Sequence, residues 1–137
     1  MRNKILKKWG FTLLEMLVVI GIIAILVSLG MSSYSTAQKK SRDAKRKSDL
    51  RAIQSALEQY YSICGYSYPS ADTGSVPTTI TCINPAATIM ATVPVDPKSG
   101  VRYSMSQVSS SDFTICAPNT PPLETESITP YCLVNQQ

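Results

Sequence analysis

Histidine is missing altogether from the 137 residues, and the four cysteines include no C-x-x-C spacing. Zinc clusters and histidine-based acid-base or nucleophilic arrangements therefore have almost no material to form from. The composition points away from enzymatic turnover. Charge is missing over residues 16–38, a run of 23. As a helix rising 1.5 Å per residue this run reaches about 35 Å, enough to cross a hydrocarbon core of about 30 Å. A cleaved secretory signal also starts with a basic flank, but its apolar core usually covers about 7–15 residues. The run here continues well beyond that length. Neither glycine nor proline interrupts residues 37–61, so the helix is expected to continue out of the apolar stretch. From 11 to 61 it would cover about 50 residues, or about 75 Å.

The net charge of +4 is unevenly placed. Lys and Arg fall at 2, 4, 7 and 8, then at 39, 40, 42, 45, 46, 47 and 51, and afterwards only at 98 and 102. From Ser62 onward those two cations face Asp72, Asp96, Asp112, Glu124 and Glu126, so 2 minus 5 gives −3. A basic helix is joined to an acidic globular region. Counting Lys and Arg on the two sides of the apolar run leaves orientation open, with the positive-inside rule pointing weakly to a cytoplasmic carboxyl-terminal part. The cysteines argue the opposite. All four, at 64, 82, 116 and 132, follow the run, and an even set in a small domain fits oxidised pairs outside the cytosol. Four reduced core cysteines are the alternative.

Within residues 37–61, Leu50, Ile53, Leu57 and Tyr60 recur at spacings of three and four, with Ala56 beside them. Arg51, Gln54, Ser55, Glu58 and Gln59 take the other side. This is an amphipathic helix with one face on a core. Asp43 with Lys47 and Lys45 with Asp49 are spaced as i,i+4 ion pairs. At Ser62 the composition changes. Gly65, Pro69, Gly74, Pro77, Pro85, Pro94, Pro97 and Gly100 punctuate a Ser/Thr-rich stretch read as loop with short strands between. "VRYSMSQV" (101–108) and "DFTICA" (112–117) alternate as two antiparallel strands, and "TPYCLV" (129–134) is a third. Tyr60, Tyr61, Tyr66 and Tyr68 are placed to cover the join of helix and sheet. The expected class is α+β, a long amino-terminal helix on a small antiparallel sheet. The four cysteines allow three connectivities. Cys64 with Cys82 and Cys116 with Cys132 is favoured, because each closes a local loop worth about 3 kcal/mol by the chain-entropy estimate.

One carboxylate, Glu15, stands just inside the apolar run of "KKWGFTLLEMLVVIGIIAIL" (7–26). A carboxylate at membrane depth costs about 2.5–3.5 kcal/mol on insertion scales. It asks for a partner, or for protonation near the interface. The same stretch resembles the amino terminus of a type IV prepilin: a short basic leader ending in Gly10, then Phe11, then Glu15 and a long apolar helix. The amphipathic continuation, the Pro/Gly-rich loop, the few strands and the late cysteines are similar to pilins and to the pseudopilins of type II secretion. The tight match lies in the first 35 or so residues.

The resemblance implies a leader over 1–10, a membrane and filament-core helix over 11–36, its amphipathic continuation over 37–61 and a globular part over 62–137. It implies cleavage between Gly10 and Phe11 by the prepilin peptidase, a membrane aspartic peptidase, and N-methylation of Phe11 by the same enzyme. Glycine there lets an extended backbone approach a catalytic site without obstruction. The resemblance further implies storage in the cytoplasmic membrane as a single-pass subunit with its carboxyl-terminal part outside. Delivery to an inner-membrane assembly platform and polymerisation of identical subunits into a surface filament follow. Glu15 would then meet the amino group of Phe11 on a neighbouring subunit, a pair far better placed in low dielectric than either charge alone. A secretion pseudopilin, or a minor pilin for DNA uptake or adhesion, uses the same parts.

Two features depart or stay open. Many family members carry a proline partway along the membrane helix, whereas this chain has "SLGMSS" (28–33) with Gly30, so local unwinding there is less assured. "VPVDPKSGVRY" (93–103) resembles the aspartate-proline-glycine turn of pseudopilins, which bind calcium near it. Asp96 is a calcium candidate on that resemblance, but one carboxylate does not make a site for an ion that takes six to eight oxygens, and a turn set by Pro97 and Gly100 is the favoured reading. The cations over 39–47 suit lipid headgroups or nucleic acid phosphates, or form a solvated or filament-internal surface facing acidic parts of adjacent subunits. The last reading is favoured over both lipid and nucleic acid.

Overall fold

The computed structural model describes residues 10–107, 109–118, 123–125 and 130–136. The leader up to Trp9, Val108 of the first expected strand and Thr129 of the third lie outside the described residues. One helix, α1, covers Leu13–Ile63. It is followed by strands β1 (Ile80–Cys82), β2 (Ala87–Met90), β3 (Ser104–Ser106), β4 (Thr114–Cys116) and β5 (Cys132–Val134). The architecture is α+β. The chain divides between Ala37 and Gln38 into two units.

The first unit is the apolar part of α1. Thr12 starts it: the Thr12 hydroxyl accepts from the Glu15 backbone N–H at 3.2 Å, and the Thr12 carbonyl accepts from Met16 N–H at 3.3 Å. Thr12 and Glu15 stand as the first and last residues of a T-x-x-E capping pattern. The helix is long and apolar enough to cross a membrane, and none of that span is buried.

The second unit holds a complete core. From α1, Leu50, Ile53, Ala56 and Leu57 are buried, while Arg51, Ser55 and Gln59 are exposed. The expected stripe is the packed one. Tyr103 and Met105 alternate with exposed Ser104 and Ser106 around β3, and Phe113, Ile115 and Ala117 with half-buried Thr114 and Cys116 around β4. Period-two alternation thus turns one face of the sheet onto the helix. Val76, Ile80, Val93 and Tyr68 complete the cluster. Each fully buried large apolar side chain contributes about 1.5–3 kcal/mol, so this small core suffices for one domain.

The strands form two antiparallel sheets, β1-β2 and β3-β4-β5. Ser104 faces Cys116, Met105 faces Ile115, and Ile115 faces Leu133. The observed strands are shorter than the expected ones, and ahead of β3 Arg102 forms an isolated bridge to Val95. The hairpin β1-β2 lies inside the stretch read as loop with short strands. Helix α1 runs two residues past the expected end at 61. Gly65 closes it with φ at +86°, and Tyr66 N–H reaches the Tyr61 carbonyl at 3.0 Å. That is the left-handed glycine closure that side-chain-bearing residues disfavour. Cys64 bonds Cys82, tying the end of α1 to β1, and Cys116 bonds Cys132, its register partner across β4-β5. Tyr61 meets Tyr66 edge-on and packs at a tilt against Tyr68, and Tyr68 meets Phe113 edge-on at 4.7 Å.

Candidate functional site: an uncovered apolar helix and a buried ion cluster

Gly10 is exposed outside the helix, and a Cβ built on it would meet open space. Phe11 is 74% exposed. Glu15 lies exposed in the first turn of α1, where a carboxylate complements the positive end of the helix dipole. Among the described residues no cation meets it. From Phe11 to Met31 the large apolar side chains are all exposed, Leu13 at 83% and Val19, the least, at 46%. Monomeric proteins rarely expose apolar surface on that scale without a membrane or a partner for it.

The second unit places a different set of residues together. Asp43, Arg46 and Asp49 are buried on α1, in the turns just before Leu50. The Arg46 guanidinium donates to Asp96 from Nε at 2.5 Å and from Nη2 at 3.4 Å, and to Asp43 from Nη1 at 2.9 Å. Its Nη1 also lies 3.6 Å from Glu124. Arg42 binds Glu124 through both forks, at 2.8 and 2.7 Å. Asp43 accepts from the backbone of Glu124 and Thr125 and from the Thr125 hydroxyl. Tyr103 donates to Asp49 at 3.0 Å, and Lys45 pairs with Asp49 at 2.8 Å.

These contacts set the titration of the carboxyls. Burial pushes Asp96 up, but the Arg46 hydrogen bond and donors from Ser99 and Lys98 outweigh it and hold Asp96 well below the usual carboxylate range. Asp43 is likewise lowered: Thr125, the Glu124 backbone and Arg46 overcome its burial. Glu124, held chiefly by Arg42, falls to about 2.

The cluster corrects two expectations. Asp43 is not a surface helix pair; it is buried and joined to Arg46 at i,i+3. Arg42 and Arg46, counted with the solvated cations of 39–47, are spent inside the subunit on the acidic residues of its own fold. At Asp96, where the turn is favoured over calcium, the carboxylate accepts from Arg46 and from the donors of that turn. One signal for the cluster was present in the sequence. Arg46, Leu50, Ile53 and Leu57 follow one another at spacings of four, three and four, so Arg46 continues the core stripe instead of winding away from it.

A long amino-terminal helix, apolar and uncovered in one unit and packed on small antiparallel sheets in the other, defines the pilin-like class. Over about half its length the chain is similar to type II secretion pseudopilins and to a type IV pilin. It is 38% identical over 68 residues to type II secretion system core protein G of Escherichia coli, covering 50% of this chain and 46% of that protein. It is 35% identical over 72 residues to the protein of the same name from Vibrio cholerae, covering 53% and 49%. Against type IV major pilin protein PilA of Myxococcus xanthus it is 32% identical over 53 residues, covering 39% and 24%. The chain thus spans about half the length, or less, of the curated relatives it matches. None of these names is that of an enzyme. No family model matches the chain, and no solved structure matches it.

Proposed function

We propose that the chain is a structural subunit, cut by the prepilin peptidase between Gly10 and Phe11, N-methylated at Phe11 and polymerised through its amino-terminal helix into a surface filament. The observation that carries this reading is the uncovered apolar span of α1 in a chain whose globular unit already has a finished core. Lipid covers that span while the subunit waits in the cytoplasmic membrane, with its cysteine-bearing part outside. Neighbouring copies cover it in the filament, to which the inner-membrane assembly platform delivers it. Glu15 pairs there with the Phe11 amine of the next subunit. The Lys39 to Lys47 cations serve nucleic acid less well than their number suggests, since Arg42 and Arg46 are committed internally.

The secretion-pseudopilus reading draws on the names of the Escherichia coli and Vibrio cholerae relatives. Filaments sheared from cells and counted with and without this gene separate it from a surface pilus. The processing step has its own test. Because a side chain at Gly10 meets open space, Gly10→Leu leaves the fold intact while obstructing the peptidase. The expected outcome is a membrane-held chain that keeps the mass of the leader, and no filaments. A mature-length chain in that variant would remove the prepilin reading.

A further inference from the structure

We infer that the globular unit carries its own cation, Arg46, at the position where the resemblance to pseudopilins would put calcium, and that its stability is therefore independent of divalent metal. Calcium requires six to eight oxygen ligands at 2.3–2.6 Å. Asp96, the candidate ligand, offers two oxygens, and both already face donors. Its Oδ2 takes Arg46 Nε, and its Oδ1 takes Lys98 N at 3.0 Å, Ser99 N at 2.7 Å and the Ser99 hydroxyl at 2.9 Å. The nearest groups are N–H and O–H, the wrong polarity for a cation.

The two other carboxylates around Arg46 are filled in the same way. Asp43 accepts from Arg46, from the backbone N–H groups of Glu124 and Thr125, and from the Thr125 hydroxyl. Glu124 holds the Arg42 fork and lies 3.5 Å from Lys98 Nζ. Among the described residues these three carboxylates are matched by Arg42, Arg46 and Lys98, which leaves none of their charge for a divalent ion to neutralise. Among the described residues no three acidic or cysteine side chains stand close enough to share a metal. Admitting one would require expelling a guanidinium that is 1% exposed.

The guanidinium also does what a metal would do for the fold. It joins three segments distant in sequence: α1 at 43–46, the turn at 96–100 and the strip at 123–125. A planar fork with five donors can serve several carboxylates at once, and it keeps its charge at every accessible pH. The tie is thus built into the chain and does not depend on calcium outside the cell.

The test is thermal unfolding of the full-length chain in non-ionic detergent micelles, which needs no filament and so stands apart from the assembly reading. The expected result is one melting temperature for the wild type in EGTA and in millimolar calcium. Arg46→Gln, which leaves the carboxylates uncompensated, should melt lower by about 10 °C or more. Arg46→Lys, with the charge but without the fork, should fall between them. A wild-type melting temperature that drops by several degrees in EGTA would overturn the inference, as would Arg46→Gln melting with the wild type. If Arg46→Gln does not fold, the wild-type comparison and equilibrium dialysis with radioactive calcium still decide. Stoichiometric calcium on the wild type would also overturn it.

Discussion

At the scale of single residues, Glu15 has an explanation inside its own chain and another between chains, and the two can be separated. The Thr12 hydroxyl accepts from the Glu15 N–H, and a carboxylate in the first helical turn gains about 0.3–1 kcal/mol from the helix dipole. Were that its whole role, Glu15→Gln, which keeps an amide able to complete a capping box, would assemble like the wild type. Pairing with the Phe11 amine of a neighbour requires the charge itself. An amine left uncompensated in an apolar core costs about 3–5 kcal/mol. We therefore expect Glu15→Gln and Glu15→Ala to be inserted and cut normally and to lose filaments alike. The ratio of sheared filament to membrane-held mature subunit measures this, and a wild-type ratio for Glu15→Gln would assign the residue to capping alone.

At the scale of elements, α1 changes its character along its length. Its first part has no covered side, while its last turns bury one face and use much of the other. Gln54 donates to the Val134 carbonyl at 2.6 Å, and Glu58 accepts from the Tyr68 hydroxyl at 3.0 Å and from Gln136 N–H at 2.9 Å. The polar side of the amphipathic helix thus grips the chain around β5. Leu57, fully buried, faces the core, and Leu57→Ala should cost about 2–5 kcal/mol of stability. Ser55→Ala, on the exposed side, should stay within about 0.5 kcal/mol. Urea unfolding in micelles distinguishes the two, and equal midpoints would mean that α1 does not pack as described.

At the scale of the whole molecule, the buried ion cluster links stability to pH. Asp43, Asp96 and Glu124 all titrate below their ordinary values when folded. Lowered folded values stabilise the native state above the unfolded values, about 3.9 for Asp and 4.3 for Glu. That stabilisation is lost as pH falls toward the folded values, which for Glu124 means about 2. Burial, with Glu58 and Asp49 beside them, pushes the Tyr68 and Tyr103 phenols above their usual range. Raised folded values favour the native state below an unfolded pKa of about 10 and lose that advantage above it. The urea midpoint should therefore be flat from about pH 5 to 9, and fall on both sides. Glu124→Gln should remove part of the acid-side slope. An acid limb unchanged by that variant would place the pH dependence elsewhere.

The long helix, its apolar first part and the Leu50, Ile53, Leu57 stripe were determined by the sequence itself, because helical periodicity and the absence of charge are local properties. The same holds for the strand cores around Met105 and Ile115, where alternation over a few residues suffices. Local spacing also favoured Cys64 with Cys82 and Cys116 with Cys132, the pairs joined in the fold. The partners of Arg46 were decided by the tertiary structure alone. Asp96 and Glu124 lie 50 and 78 residues further along the chain, and only the packing of helix, turn and strip turns a cation of a basic run into the centre of a buried cluster. The β1-β2 hairpin belongs there too. Pro85 and short strands mask its pattern, and its pairing is held by Ile80 in the core and Cys82 on Cys64. A local signal survives in sequence when one face of one element decides it, and it is lost when opposite charges far apart must first be brought together.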